Sequence, residues 1–295
     1  EDFLLFEGNA NAFRLLTHQF KGRRSGGFAL TYSTIASIIK YPYSSLSAQG
    51  KNKFGFFATE EETIREVATE LGLKQLGEDP LRYARHPLVY LVEAADDICY
   101  QIMDIEDACK LHILGYDEAQ GLIQGFFADD ELREIQHVAN TIGDPNERMG
   151  YLRSKAINLL VEEAASLFLD AEKAILAGTF EGSLIQHLSP RLLSAYQACS
   201  RTAYAKIYSA REVVDVELAG HRIFSALLDQ LIEAQMHPDH LYSRTLLSRV
   251  SSQYEMNHPT VYGRIQSSLD YISGMTDIYA LDLYRRITGM NLPAV

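Results

Sequence analysis

One stretch of the sequence decides the fold: Arg85-His-Pro-Leu-Val-Tyr-Leu-Val-Glu-Ala-Ala-Asp-Asp-Ile-Cys-Tyr-Gln-Ile-Met-Asp-Ile-Glu-Asp107. Pro87 suits a first helical turn and neither Gly nor Pro follows before Gly115, so a helix of about seven turns is predicted. Its apolar residues recur at steps of three and four and form a stripe that we expect to pack into a core. The stripe consists of Leu88, Leu91, Val92, Ala95, Ile98, Cys99 and Ile102.

The other flank of this helix is acidic. At about 100° per residue, one line on the helix collects Glu93, Asp96, Tyr100, Asp104 and Asp107. Most charge runs are solvated faces, but a surface helix usually mixes signs in i,i+4 pairs, and no Lys or Arg occurs from His86 to Cys109. Two interpretations stay open: a solvated face, or a site whose cation comes from elsewhere, as a metal, a basic segment or both.

Length and composition bound the class of protein. The 295 residues are 47% hydrophobic, which is enough for a sizeable core. The net charge of -12 and a pI near 5.2 argue against broad nucleic-acid binding, because phosphates attract cations. No apolar run of about 18 residues occurs and the N-terminus does not resemble a signal peptide, so we expect a cytoplasmic protein without a membrane span. Three cysteines argue against a disulfide framework, and we expect three buried thiols.

The rest of the chain is also predicted to be helical. Helices are predicted at residues 3–19, 29–40, 59–71, 148–177, 189–233, 238–251, 258–273 and 275–288, with two more between 116 and 141. A break is predicted near 208–211, a flexible basic loop at 21–27 and a mobile polar loop at 44–53. Alternating β patterns are nearly absent. The predicted fold class is therefore all-α, a multi-helix bundle in which residues 1–295 form a single domain.

A resemblance to a known family begins with His86-Pro-Leu-Val-Tyr-Leu-Val-Glu-Ala-Ala-Asp-Asp-Ile-Cys-Tyr100. This segment resembles the one that closes the metal site in bacterial deoxyguanosine triphosphate triphosphohydrolases of the HD-domain superfamily. Four further segments resemble that family in the family's order: Phe6-Glu-Gly-Asn-Ala-Asn-Ala-Phe-Arg-Leu-Leu-Thr17, Leu30-Thr-Tyr-Ser-Thr-Ile-Ala-Ser-Ile-Ile-Lys-Tyr-Pro42, Arg211-Glu-Val-Val-Asp-Val-Glu-Leu-Ala-Gly220 and Gly274-Met-Thr-Asp-Ile-Tyr-Ala280. The resemblance implies an HD-like bundle, in which residues 1–115 complete the HD core and 116–295 form a helical C-terminal region.

The same resemblance exposes a gap in this sequence. The family carries a His, then a His-Asp pair, then a His and a Glu that act on the attacking water, all upstream of the Phe-Glu-Gly-Asn segment. No His-Asp dipeptide occurs here, and the chain opens with Glu1 where those residues would have ended. We expect a later part of a longer protein, with its catalytic groups upstream of Glu1; the alternative is a degenerate homologue. By itself, this polypeptide is expected to bind metal weakly and to hydrolyse nothing.

The resemblance also implies roles for individual residues. Asp96 would ligate a divalent metal, Mg²⁺ or Mn²⁺, whereas Asp97 would cap or pair locally. Tyr100 would pack on the deoxyribose, where a 2'-hydroxyl would clash, and Asp104 would accept a hydrogen bond from the 3'-hydroxyl. The other candidates are Lys40 and Tyr41 on the triphosphate, Asn9 in the nucleotide pocket, and Arg23, Arg24, Lys51 and Lys53 as weaker phosphate ligands. From the residues alone, a core tyrosine, a solvated aspartate and a surface lysine stay open.

The function implied by the resemblance is hydrolysis of deoxynucleoside triphosphates, dGTP first, to the deoxynucleoside and inorganic triphosphate. We expect the enzyme to work as a homo-oligomer with helices shared between subunits. One alternative is a catalytically inactive homologue that binds nucleotides and has a regulatory role. Another is an HD phosphohydrolase for a monophosphate or cyclic nucleotide, which would dispense with Lys40 and Tyr41.

Overall fold

The computed structural model describes residues 1–48 and 52–290. The regular structure of these residues consists of thirteen α-helices, one two-stranded sheet and short 3-10 and π turns, which confirms the all-α prediction. The elements are α1 (Gly8–Thr17), α2 (Tyr32–Ser37), α3 (Glu61–Leu71), β1 (Gln75–Glu78), β2 (Leu81–Tyr83), α4 (Pro87–Lys110), α5 (Tyr116–Gln124), α6 (Asp129–Ala139), α7 (Pro145–Asp170), α8 (Glu172–Leu176), α9 (Pro190–Thr202), α10 (Arg211–Met236), α11 (Leu241–Leu247), α12 (Val261–Ser273) and α13 (Asp277–Ile287).

The sequence does not predict the two-stranded sheet. Strands β1 and β2 pair antiparallel, with Glu78 opposite Leu81. With four and three residues, these strands are too short to show an alternating pattern, and this explains why the hairpin is missed. The hairpin matters for the site because Arg82 forms an isolated antiparallel bridge with Tyr43, in the segment that follows α2.

The central helix α4 forms for the local reasons that the sequence predicts. Pro87 occupies its first turn, and His86 caps it by accepting a hydrogen bond from Leu88 N on Nδ1 at 3.3 Å. The helix is 24 residues long, close to the seven turns predicted. It packs against α2, α5, α7 and α9, so its flanks are positioned by four neighbouring helices.

The predicted apolar stripe is wrong about which side of α4 is buried. Leu88 and Val92 are 43% and 44% exposed, and Ala95 and Cys99 are exposed as well. The buried residues of the helix are Val89, Tyr90, Ala94, Ile98, Gln101, Ile102, Ile105, Glu106 and Ala108. Two neighbouring lines of α4 are apolar, and periodicity alone cannot say which line the other helices cover. The expectation of three buried thiols is consequently wrong for Cys99.

The chain divides into two compact units. The first comprises Glu1–Leu16 and Leu30–Ala210. Its main core surrounds α4, α5, α7 and α9, and a smaller core lies between α2, α3 and the hairpin. The boundary expected between residues 115 and 116 falls inside this unit. Helix α4 precedes this boundary in sequence and packs against α5 and α7, which follow it.

The second unit comprises Thr17–Ala29 and the described residues from Arg211 onward. Helices α10 to α13 pack around an apolar core that includes Leu227, Leu231 and Tyr271. The division after Ala210 coincides with the helix break predicted near 208–211, which separates the π turn at Ala203–Ile207 from α10. Among the described helices, none combines the length and the apolar character that crossing a membrane requires.

Candidate functional site

On the acidic flank of α4, Glu93 forms ion pairs with cationic side chains from other parts of the chain. Glu93, whose side chain is only 9% exposed, forms an ion pair with Lys40 Nζ at 3.1 Å and a second one with the Arg85 guanidinium. Further along the helix, Glu106 pairs with Arg153 at 2.7 Å. At Glu93 the cations come from outside α4 and are side chains of the protein itself, whereas Glu106 lies off the acidic flank and also pairs with Lys110 of its own helix at 3.0 Å.

Three carboxylates of α4, those of Asp96, Asp97 and Asp104, form no ion pair within residues 1–48 and 52–290. Asp96 is exposed, whereas Asp97 is half-buried. Burial raises the pKa of Asp97, and the nearby Lys40 charge partly opposes this rise. Contrary to expectation, no described residue hydrogen-bonds to the Asp97 carboxylate; its backbone oxygen accepts a bond from the Tyr196 hydroxyl at 3.3 Å.

Lys40 and Tyr41 lie just after α2, where the chain passes close to Gly55. A Cβ atom on Gly55 would lie 2.1 Å from the backbone oxygen of Tyr41, so only glycine allows this approach. Burial lowers the pKa of Lys40, but the ion pair with Glu93 and the charge of Asp97 raise it, and the net shift is upward. Lys40 therefore stays protonated at neutral pH and is directed towards the acidic flank of α4.

Asn9 is connected to the surroundings of Tyr41 through a short polar chain. Asn9 Nδ2 donates to Glu7 Oε1 at 3.0 Å, and Lys53 Nζ donates to the same oxygen at 3.0 Å. Lys53 Nζ in turn lies 5.8 Å from the centre of the Tyr41 ring. The structure thus brings together the predicted residues Asn9 and Tyr41 and the weaker candidate Lys53. Glu7 belongs to the same Phe-Glu-Gly-Asn segment, but its type and position alone did not mark it as a site residue.

Arg85 is a second cation of this site that sequence analysis missed. Its guanidinium pairs with Glu93, donates from Nη1 to the Gly182 backbone oxygen at 3.2 Å and lies 4.4 Å from the centre of the Tyr90 ring. These three contacts fix the plane of the group. Its position immediately before the His86-Pro87 helix start could have indicated the role, since it is the cation nearest to Glu93 on the N-terminal side of the acidic flank.

Tyr100 and Asp104 form an aromatic cluster with Tyr204, in the π turn that follows α9, and with Tyr208 directly after that turn. The Tyr208 hydroxyl donates to Asp104 Oδ2 at 2.7 Å, and the Tyr208 and Tyr100 ring centres lie 6.4 Å apart. Tyr204 packs edge-on against Tyr208 at 5.3 Å, and both Tyr100 and Tyr204 are largely exposed. Burial raises the pKa of Asp104, and the hydrogen bond from Tyr208 opposes this rise. Two predicted residues are therefore together, beside two tyrosines that the sequence did not single out.

The weaker phosphate candidates are divided between the two units. Arg23 lies in the second unit, where its Nη2 donates to Gln253 Oε1 at 3.3 Å, and Arg24 is exposed in the same segment. Lys53 lies in the first unit together with Lys40. Lys51 lies outside the described residues.

The described residues do not by themselves form a metal site. No group of three or more His, Cys, Asp or Glu side chains that could hold a metal ion occurs in residues 1–48 and 52–290. Asp96 offers one exposed carboxylate, fewer donors than the several that divalent cations require. These residues therefore do not fit a metal centre by themselves, and we derive no reaction step through a metal. The role of Asp96 as a ligand stays a prediction.

Comparison with known proteins shows which family the chain resembles. The family described as phosphohydrolase-associated domain matches residues 186–286. A deoxyguanosinetriphosphate triphosphohydrolase-like protein of Pseudomonas aeruginosa is 34% identical over 306 residues, covering 99% of this chain and 68% of that protein. A protein of the same name from Synechocystis is 36% identical, covering 99% of this chain and 67% of its own length.

A more distant relative is named without the ending "-like protein". The deoxyguanosinetriphosphate triphosphohydrolase of Yersinia enterocolitica is 28% identical over 340 residues, covering 97% of this chain and 64% of that enzyme. The chain therefore spans about two thirds of the length of these relatives. The similarity covers both units and all the candidate residues of α4.

Proposed function

We propose a nucleotide-hydrolysing function for this chain, which belongs to the deoxyguanosinetriphosphate triphosphohydrolase-like family of HD-type phosphohydrolases. The proposed reaction converts a deoxynucleoside triphosphate, dGTP first, to the deoxynucleoside and inorganic triphosphate. One observation carries the proposal: a cation pair and a tyrosine–carboxylate pair lie along the same face of α4. Glu93 and Asp104 are eleven residues apart, about 16 Å along the helix and about 20° around it.

At the cation end, Lys40 and Arg85 would hold the triphosphate. Both groups are charged, and both are already fixed by the same carboxylate, Glu93. Arginine presents a planar fork to phosphate oxygens, whereas lysine acts as a point charge. A bound triphosphate would take hydrogen bonds from the two cations in competition with Glu93, so this end supplies affinity for the phosphates.

At the tyrosine end, Asp104 would accept a hydrogen bond from the 3'-hydroxyl of the sugar. The Tyr208 hydroxyl already donates to Oδ2 of this carboxylate, which leaves the other oxygen for the substrate. The exposed ring of Tyr100 would lie against the sugar, where a 2'-hydroxyl would lack room. This end would therefore select deoxyribose over ribose.

The proposed reaction breaks the bond between the α-phosphorus and the 5'-oxygen. A water molecule adds to phosphorus, the nucleoside 5'-oxygen leaves with a proton, and the three phosphates stay joined. We assign binding and orientation to the described residues. The family resemblance implies groups that activate the water and further ligands for Mg²⁺ or Mn²⁺. We assign neither to a residue of this chain.

Product analysis tests the proposed function. The complete gene product and the 295-residue chain would each receive dGTP with Mn²⁺ or Mg²⁺, and chromatography would separate the products. We expect deoxyguanosine and intact triphosphate in equal amounts from the complete product, and none from the 295-residue chain alone. Release of pyrophosphate or of single phosphate would refute cleavage at the α-phosphorus.

A second candidate function is binding of a deoxynucleotide without hydrolysis, in a regulatory role. It is favoured by the chemistry of the described site residues, because Lys40, Arg85 and Asp104 are groups that bind a ligand. The same experiment separates the two functions, because a regulatory homologue would bind dGTP and leave it intact in both preparations.

We further propose that the protein assembles as a homo-oligomer. Val216 and Leu218 of α10 are 71% and 64% exposed on two different faces of the helix, so apolar side chains of α10 are available for such contacts. Light scattering after size exclusion would measure the mass, and a value near that of one chain, 33.2 kDa, would contradict the proposal.

A further inference from the structure

The second unit contains a cavity that the proposed reaction does not use. Its volume is about 340 Å³, within the range of small-molecule sites. Three parts of the unit line it: Lys21 from the segment 17–29, Gln235 near the end of α10, and residues from Leu247 to Arg264, which run from α11 into α12.

The lining is positively charged, although the chain as a whole carries a net charge of -12. Lys21 and Arg264 line the cavity, and none of the described residues that line it is Asp or Glu. Neither cation forms an ion pair within the described part of the chain. Two cations that share a concave surface without a carboxylate attract an anion.

Arg264 is held in place by backbone oxygens, and no carboxylate of the described residues forms an ion pair with it. Its Nε donates to the His258 backbone oxygen at 2.8 Å, and its Nη1 donates to the Gln235 backbone oxygen at 3.1 Å. Two of its five N–H groups are therefore engaged, and the others are available to a ligand. A guanidinium fixed in this way loses little further entropy when it binds an oxoanion.

Lys21 is brought to the cavity by contacts of the backbone and of its neighbour. The backbone N–H of Lys21 donates to the Gln253 backbone oxygen at 3.2 Å. The adjacent ring of Phe20 packs edge-on against Tyr254 at 5.6 Å between centres. The basic segment predicted as a flexible loop is therefore attached at this point to the residues that precede α12.

Polar and apolar side chains complete the lining. Gln235 is 2% exposed, and its Nε2 donates to Ser268 and to the Arg264 backbone oxygen, which holds α10 against α12. Asn257 adds an amide that can exchange hydrogen bonds with a hydroxyl or amino group of a ligand. Leu247 and Val250 add apolar surface for the body of a ligand.

We propose that this cavity binds a small phosphorylated organic molecule. Lys21 and Arg264 hold its phosphate, Asn257 exchanges a hydrogen bond with a hydroxyl or amino group, and Leu247 and Val250 contact its carbon skeleton. The site is independent of the proposed dGTP reaction, because all its lining residues belong to the second unit.

Methionine-methyl NMR tests the proposal, since Met256 lines the cavity and is one of only six methionines in the chain. The Met256 signal is assigned with the Met256→Leu variant. Inorganic phosphate and ribose 5-phosphate serve as probes, with sodium chloride at equal ionic strength as the control. We expect a saturable shift of Met256 with both probes, tighter for ribose 5-phosphate, and about tenfold weaker binding in Lys21→Gln.

Two matched variants keep the result interpretable. Arg264→Lys retains the charge but loses the planar fork, and its fold is checked by circular dichroism; we expect weaker binding with an unchanged spectrum. Lys40→Gln alters the first unit and should leave the Met256 titration unchanged. A Met256 signal that does not move, moves equally with chloride, or titrates identically in Lys21→Gln would overturn the proposal. None of these outcomes depends on dGTP hydrolysis.

Discussion

The carboxylates at the two ends of the acidic flank of α4, Glu93 and Asp104, are stabilised by different kinds of partner. At Glu93 the charge is neutralised by two cations from other parts of the chain. At Asp104 no cation is present in the described part of the chain, and a single tyrosine hydroxyl orients the carboxylate. Two cations attract any anion, whereas the Asp104 carboxylate, held by the Tyr208 hydroxyl beside the ring of Tyr100, admits only a group of the right shape. We therefore assign affinity to the first end and selectivity to the second.

The largest expected effect comes from Glu93→Gln, which removes the shared partner of Lys40 and Arg85. These cations are 28% and 19% exposed, so they would be left partly desolvated without an anion. We expect the free energy of unfolding to fall by about 3 kcal/mol. Urea denaturation measures it, with Glu118→Gln as the control, because the exposed pair of Glu118 with Lys206 should contribute less than about 1 kcal/mol. If both variants lost the same free energy of unfolding, the partly buried cluster at Glu93 would be no more stabilising than an exposed ion pair.

The next effect concerns Lys40→Gln and the binding of the triphosphate. We expect dGTP affinity to fall about tenfold or more, because a charge-assisted contact to phosphate is lost. The affinity for deoxyguanosine, which has no phosphate, should stay the same. Isothermal titration calorimetry measures both ligands, and Lys206→Gln provides a matched loss of an exposed lysine. If deoxyguanosine binding fell as much as dGTP binding, the cation end would have no separate role.

A smaller effect is expected for Tyr208→Phe, which keeps the ring and removes the hydroxyl that donates to Asp104. A single neutral donor to a carboxylate is worth about 1–2 kcal/mol, so dGTP affinity should fall by several-fold. The dideoxy analogue of dGTP, which lacks the 3'-hydroxyl, should lose less. Tyr204→Phe is the control, because no described residue bonds to the Tyr204 hydroxyl. If Tyr208→Phe weakened the binding of dGTP and of the dideoxy analogue equally, Tyr208 would have no role in recognising the 3'-hydroxyl.

The smallest effect is a pH dependence at Asp97. Burial raises the pKa of this carboxyl above its value in the unfolded chain, so the folded chain retains a proton over a pH range in which the unfolded chain has lost it. Ionised Asp97 therefore costs stability once the pH exceeds about 4, and none below it. Asp97→Asn should stabilise the chain at pH 7 by less than about 1 kcal/mol, after allowance for solvent screening. Thermal unfolding at pH 3.5 and 7 tests it; a gain that is equal at both values would contradict the assignment.

Local sequence was sufficient for the elements that depend on neighbouring residues. Pro87 and the absence of Gly or Pro up to Gly115 predicted α4, and its bounds agree with the structure. The placement of Tyr100 and Asp104 one turn apart follows from helix geometry, and the structure puts both in one aromatic cluster. The short hairpin at β1 and β2 was missed because its strands are too short to carry a period.

The identity of the residues around α4 could not be read from the sequence. The Tyr208 hydroxyl reaches Asp104 across 104 residues, and Glu93 receives Lys40 from the segment after α2. The burial of Tyr90 and Ala94 in place of Val92 and Ala95 also depends on which helices pack on α4.

By itself, the sequence determined the helical class, the position of α4 and the order of acidic and aromatic side chains along its flank. These features follow from backbone geometry and residue periodicity within a few turns. Only the tertiary structure decided which apolar line of α4 is buried, which cations share Glu93 and which tyrosine orients Asp104. The reason is physical: such contacts are selected by the packing of distant segments, and the local period of one helix carries no information about what will cover it.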